Sequence, residues 1–202
     1  MRLYITRHGQ TQWNIERRLQ GWNDSPLTRI GVKRANDLAN RLSGIDFDYV
    51  YTSDQNRAIK TADIVLKDKT TRKIQLDSLR EIGFGSWEGM TLEEIEEKYE
   101  DGFNTYLNDP ENYHPIEGES IFQLFKRVSL ALDEILKNGG DNVLIVSHGV
   151  TIRALLCVIK GIGVDGFKNT HILAGTSLSI FDYKENKFNS ICEGDTSHFT
   201  KR

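Results

Sequence analysis

Met1–Asn14, MRLYITRHGQTQWN, is the stretch whose reading decides the fold. An apolar run, Leu3-Tyr4-Ile5, gives way at once to Thr6-Arg7-His8-Gly9. A run so short, with β-branched and aromatic members, reads as a buried strand rather than a helix. A planar guanidinium that grips two oxygens, beside an imidazole able to attack or carry a proton, suits a phosphate ligand. Gly9 would let the backbone approach that ligand closely. The competing interpretation pairs Arg7 with a carboxylate and leaves His8 as a satisfied loop residue, and the triplet alone does not choose between them.

Working outward, Val143–Ser147 is a second apolar run that ends the same way, in His148-Gly149. Between the two lie strands over Phe47–Thr52 and Ile74–Leu76. A helix opened by Thr28 carries Ala35, Leu38, Ala39 and Leu42 and stops at Gly44. Another, capped by Ser53, has Arg57 in its first turn and Ala58, Ala62, Val65 and Leu66 on one face. Thr91 with Glu94 and Ser120 with Gln123 are capping boxes. The second of these opens the strongest helical stripe, Ile121 to Leu136, ended by Gly139-Gly140. A helix from about Thr151 to Lys160 and two late strands, Ser177–Asp182 and Lys187–Cys192, complete the chain. Alternating strands and helices predict an α/β fold, a three-layer α/β/α sandwich with a mainly parallel central sheet, as one domain over 1–202.

Composition narrows the partners. The 202 residues are 38% hydrophobic and 27% charged, with a net charge of −3. That balance gives no electrostatic reason to expect nucleic acid or an anionic membrane. Cys157 and Cys192 sit in apolar surroundings and make neither a disulfide framework nor a metal cluster, so free thiols and a cytoplasmic setting are expected. Between Glu88 and Glu119 there are eleven Asp and Glu against one lysine, Lys98, marking an acidic, lid-like insertion at about 88–119. Most of these carboxylates read as a solvated helical face. His114, His171 and His198 read as surface or packing histidines, and Trp13, Trp22 and Trp87 as core or pocket wall.

Ligands in open α/β sheets bind beyond the carboxyl ends of the strands. Arg7, His8 and His148 follow strand ends directly, Arg57 follows the second strand, and Glu81 lies in the glycine-rich loop after the third. Five chemically capable side chains from four segments are thus expected in one crevice. Leu3–Asn14 (LYITRHGQTQWN), Ser53–Ala62 (SDQNRAIKTA), Leu79–Gly89 (LREIGFGSWEG) and Val146–Gly149 (VSHG) resemble the motifs of the histidine phosphatase superfamily, which includes the cofactor-dependent phosphoglycerate mutases. The resemblance runs to Asp195-Thr196-Ser197-His198.

That resemblance implies a phosphoglycerate mutase-like fold and a two-histidine mechanism. His8 would be the nucleophile, its tautomer fixed by a backbone carbonyl, forming a phosphohistidine. Arg7, Arg57 and His148 would surround the phosphoryl oxygens. Glu81 would protonate the leaving oxygen and later deprotonate water, with Glu88 as its rival for that role. Gln10, Thr11, Asn14, Gln20, Gly21 and Gly149 are candidates for positioning substrate. No metal and no cofactor are implied, arginines and imidazolium taking the place of magnesium.

The expected partner is a small phosphorylated metabolite, and the late hairpin is a candidate homodimer edge. Three functions compete: a phosphatase with water as acceptor, a phosphoglycerate mutase, and a non-catalytic module that binds a phosphorylated partner. The family's mutases carry extra basic residues after the catalytic glutamate and a longer tail. This chain has an acidic lid, expected to repel a second phosphate, and ends soon after its last strand, so the phosphatase is expected.

Overall fold

The computed structural model describes residues 1–67 and 69–200. Six strands form one mixed sheet: β1 (Arg2–Arg7), β2 (Tyr49–Ser53), β3 (Arg72–Leu76), β4 (Asn142–Ser147), β5 (Leu178–Lys184) and β6 (Lys187–Asp195). Their spatial order is β3-β2-β4-β1-β5-β6. The first four strands run parallel, whereas β5 is antiparallel to β1 and β6 to β5.

Side-chain alternation along the strands creates the two outer layers. Tyr4, Val50, Leu144 and Val146 face α2 (Arg29–Arg41) and α3 (Asn56–Leu66), where Leu38, Ala58 and Ala62 are buried, with Leu42 just past the end of α2. Leu3, Ile5, Tyr51, Val143 and Ile145 point the other way, toward α6 (Ile121–Asn138) and α7 (Gly149–Lys160). The predicted three-layer sandwich is therefore the observed one. Burying each such aliphatic side chain is worth roughly 1.5–3 kcal/mol before conformational entropy is counted.

Three more helices complete the seven among the described residues. A single turn, α1 (Gln12–Ile15), interrupts the loop expected over Gln10–Pro26. It is closed by a capping box in which Thr11 accepts from the Asn14 amide and the Asn14 side chain accepts from Thr11. The segment after β3 carries α4 (Leu92–Lys98), started by the expected Thr91–Glu94 box, and then α5 (Glu100–Asn108), which was not foreseen. A break at Tyr99 (φ −133°) separates them and masks the helical period across the junction. Ser53 is also placed differently from expectation. It ends β2 and its Oγ accepts from the Gln55 amide, while Gln55 is the residue preceding α3 and makes no side-chain cap.

Register brings the functional ends together. Arg7 is level with Ser147, Thr52 with Val146, and Ser53 with Leu76. The His8 amide donates to the Ser147 carbonyl at 2.9 Å, so the loops after β1 and β4 leave the sheet side by side. Gly9 serves packing here. A Cβ on it would lie 2.9 Å from the Gly31 carbonyl oxygen, and one on Gly31 would lie 2.2 Å from the Gln10 oxygen. The first loop thus reaches the start of α2 only because both residues lack side chains.

Candidate active site

His8 and His148 are buried, with ring centroids 5.2 Å apart. Their hydrogen bonds fix complementary tautomers. Nδ1 of His8 lies 2.8 Å from the Gly9 carbonyl, which can only accept, so Nδ1 carries the proton and Nε2 keeps its lone pair. Nδ1 of His148 lies 3.1 Å from Nε of Arg57, which can only donate, so His148 carries its proton on Nε2. One ring is set up as a nucleophile and the other as a hydrogen-bond donor. The backbone-carbonyl partner expected for His8 is the one present.

Electrostatics keep both rings neutral. Burial, then the Arg7 and Arg57 charges, push His8 well below its ordinary value of 6.5. Burial, followed by Arg57, His8 and Arg7, does the same to His148. His148 is therefore held as an imidazole rather than an imidazolium. The unfolded chain binds protons near 6.5 that the folded rings refuse. Stability is fully present above that pH and falls on acidification below it, by up to about 1.4 kcal/mol per pH unit for each ring. Urea melts between pH 7.5 and 5.5 should show this decline, and replacing His148 should reduce it. A flat profile would contradict the neutral pair.

Arg57, 1% exposed, ties the site to the loop after α1. Its Nη1 donates to the Asn23 carbonyl and to Asp24, its Nη2 to the Gly21 carbonyl, and its Nε to His148. Arg7 is less committed: Nη1 donates to the Leu173 carbonyl at 3.0 Å, while Nε is buried without a protein partner. Burial lowers its pKa, opposed by Glu81, yet a guanidinium stays charged at neutral pH. Nε2 of His148 is likewise buried and unpartnered. Leaving buried donors unpaired costs about 1–3 kcal/mol each, and a phosphoryl group between them would supply acceptors for both.

Glu81 sits on the first turn of α7. Oε1 accepts from the amides of Ile82, Val150 and Thr151 at 3.0–3.1 Å, while the Thr151 hydroxyl, 3.2 Å away, donates its one proton to the Arg80 carbonyl at 2.6 Å. Oε2 has one contact, the Val150 amide at 3.2 Å. The freer Oε2 is the atom suited to proton transfer. Glu88 is engaged elsewhere, its Oε1 accepting from the amides of Trp22 and Phe84.

These groups share a cavity of about 220 Å³ lined by Arg7, His8, Arg57 and Glu81. Asn14, Gln20 and Gly21 also line it. Gln20 commits both ends to the loop, Nε2 donating to the Thr11 hydroxyl and Oε1 accepting from the Ser25 hydroxyl. Thr11 and Gln10 are engaged in loop construction, Gln10 accepting from the Thr28 hydroxyl, and neither lines the cavity. Gly149 starts α7. A Cβ there would stand 3.0 Å from Ile172, so the missing side chain lets Ile172 pack against the helix terminus, while Arg7 at 3.4 Å would be in ordinary contact; Gly149 does not line the cavity.

The remaining wall is apolar: Leu19, Phe84, Leu92, Phe103, Val150 and Ile172, with Tyr106 and Leu107. None of the eleven lid carboxylates lines it. Glu93, Glu94, Glu96, Glu97, Glu100 and Asp101 are exposed, while Phe103, Tyr106 and Tyr113 gather around Trp87 on the inner face. The lid is acidic outside and aromatic inside. The rim also holds Arg18, whose Nη1 donates to Glu94 and the Gly89 carbonyl and whose Nε donates to Glu16. Asp24, Thr151 and Arg18 were missed in the sequence, since nothing in their spacing ties them to the histidines.

His198, expected to be a packing histidine, bonds the Thr176 carbonyl through Nε2. Trp87 is core, and half-exposed Trp22 donates its indole N–H to the Glu81 carbonyl. Both cysteines are free thiols. Among the described residues no three His, Cys, Asp or Glu side chains are grouped so as to hold a metal ion, and no helix is long and apolar enough to cross a membrane.

The chain belongs to the histidine phosphatase superfamily (branch 1), whose family profile matches residues 3–196. Among solved structures it is similar to YhfR of Bacillus stearothermophilus, with 38% identity, a TM-score of 0.93 and 98% of each chain covered. A phosphoglycerate mutase from Bacillus anthracis is 30% identical, with a TM-score of 0.85, over 98% of this chain and 94% of that one. A mutant phosphoserine phosphatase from Entamoeba histolytica, in complex with phosphoserine, is 28% identical with a TM-score of 0.84, covering 98% and 99%.

Proposed function

We propose that this chain is a phosphatase that hydrolyses small phosphomonoesters through a phosphohistidine on His8, with water as the final acceptor. The observation that carries this reading is the wall of the cavity above the histidines. A mutase must hold an intermediate with two phosphates and needs cations for the second. Among the described residues, the one cation lining the cavity beyond Arg7 and Arg57 is Arg18, already bonded to Glu16 and Glu94. The apolar lining replaces the expected acidic repulsion as the reason a second phosphate is unwelcome. It also favours a leaving group that is itself apolar or aromatic.

In the first step Nε2 of His8 attacks phosphorus as the ester P–O bond breaks, and the Glu81 carboxyl gives its proton to the departing oxygen. Arg7, Arg57 and the Nε2–H of His148 meet the charge on the equatorial oxygens. In the second step water attacks phosphorus, its proton passes to Glu81, and the N–P bond breaks to free His8 and inorganic phosphate. The relative complexed with phosphoserine supports a small phosphorylated substrate.

The test is phosphate release in excess EDTA from p-nitrophenyl phosphate, hexyl phosphate, phosphoserine and 3-phosphoglycerate, with 2-phosphoglycerate followed in parallel. Release that persists under chelation and is fastest for the apolar esters is expected. Interconversion of phosphoglycerates without release would make the chain a mutase. Binding without turnover would make it a recognition module.

A further inference from the structure

Arg127, in the second turn of α6, lies outside the cavity, yet its guanidinium faces the segment that carries Glu81. Nε and Nη2 donate to the two oxygens of Glu119, at 2.6 and 2.7 Å. Nη1 donates to the carbonyls of Ser78 and Arg80, at 2.9 and 2.8 Å, and Nη2 also to the carbonyl of Glu81 itself, at 3.0 Å. All five donors of the side chain are thereby matched. Glu119 extends the clamp: its amide donates to the Gly83 carbonyl at 2.7 Å, and its Oε2 receives the Gly83 amide at 3.4 Å. The pair is largely buried, with side-chain exposures of 19% and 11%.

We infer that Arg127, held by Glu119, is a positioning residue for proton transfer by Glu81, acting through the backbone on both sides of that residue. The loop from Leu79 to Gly89 has no helix or strand ladder to fix it, only short 3₁₀ turns at either end. Carbonyls 78, 80 and 81 converge on one planar fork, and their direction sets where the Glu81 side chain leaves the chain. A lysine offers a compact charge with three donors and cannot reproduce that fork. A displacement of about 1 Å at a reacting group costs on the order of 10²-fold in rate.

This inference rests on the phosphatase reading and is tested by leaving-group dependence. Nitrophenolate departs without a proton, whereas an alkoxide requires one, so a residue acting through Glu81 should matter for alkyl esters alone at the level of kcat/KM. Arg127→Lys should lower kcat/KM for hexyl phosphate by about 10- to 100-fold, and for p-nitrophenyl phosphate by less than about 3-fold. Glu119→Gln should shift the same ratio in the same direction, to a smaller extent. In a Glu81→Gln background Arg127→Lys should add less than about 3-fold on either ester. Because the two esters are compared on one preparation, the ratio is independent of the fraction of protein folded. Equal losses on both esters (complete inactivity included), no loss on either, or an undiminished loss in the Glu81→Gln background would overturn the assignment. If the wild-type protein hydrolyses none of the four esters of the panel, the phosphatase reading itself falls and this inference with it.

Discussion

Replacing His8 with alanine is expected to reduce turnover to background, a loss on the order of 10⁴-fold or more, since what survives is the catalysis of the remaining site. The size follows from the absence of a substitute. His148 is the only other imidazole at the centre, and its Nε2 bears a proton while its Nδ1 is covered by Arg57. It cannot attack phosphorus without breaking that bond. The variant should still bind a phosphomonoester, because Arg7, Arg57 and the His148 N–H are untouched. Titrating the fluorescence of half-exposed Trp22, whose indole is bonded to the Glu81 carbonyl, would report binding. Phosphate release assayed on the same sample would report turnover. Retained turnover in the variant would remove His8 from the reaction.

The second large effect is expected at Glu81. Glutamine at this position can keep accepting from the Val150 and Thr151 amides, so the local fold should survive, but it has no proton to give. For an alkyl phosphate kcat should fall by about 10²–10⁴-fold with KM little changed. For an aryl phosphate the first step should be nearly normal while hydrolysis of the phosphoenzyme slows, giving a burst of nitrophenolate before the steady state. Glu88→Gln is the control. That carboxylate accepts from the amides of Trp22 and Phe84, so its loss should loosen the loop without producing a burst. A burst in the Glu88 variant and none in the Glu81 variant would reassign the acid.

The parts of the site legible in the sequence are those carried on strand ends. Arg7, His8 and His148 follow short apolar runs that read as buried strands, and Arg57 lies in the first turn of the helix after another. Glu81 was reachable because three glycines that follow it closely, Gly83, Gly85 and Gly89, mark its loop. The residues that hold these five in place were not legible. Asp24 and Asn23 meet Arg57 across a loop, and Thr151 meets Glu81 across the sheet edge. Arg127 reads in isolation as one more charge on a helix. Their contacts are long-range and leave no period in the chain.

The lid shows a different limit. Eleven carboxylates stand against a single lysine between Glu88 and Glu119, so charge counting assigns the segment a repulsive role. Six of the eleven are exposed on α4 and α5, Glu119 pairs with Arg127, and none lines the cavity, whereas Leu92, Phe103, Tyr106 and Leu107 do. Composition sums over faces that the fold separates. The period that would have revealed this is cut at Tyr99 and weakened by Gly102.

Chemical trapping of the intermediate tests the central claim most directly. The protein would be mixed with a ³²P-labelled aryl phosphate in EDTA and quenched within milliseconds in alkali, where phosphoramidates survive. Peptide mass spectrometry would then locate the label. A single phosphohistidine at His8, acid-labile, formed and discharged at rates matching turnover with phosphate as the product, is the predicted result. Label on another residue, or phosphate release at full rate with no labelled protein at any time, would contradict it.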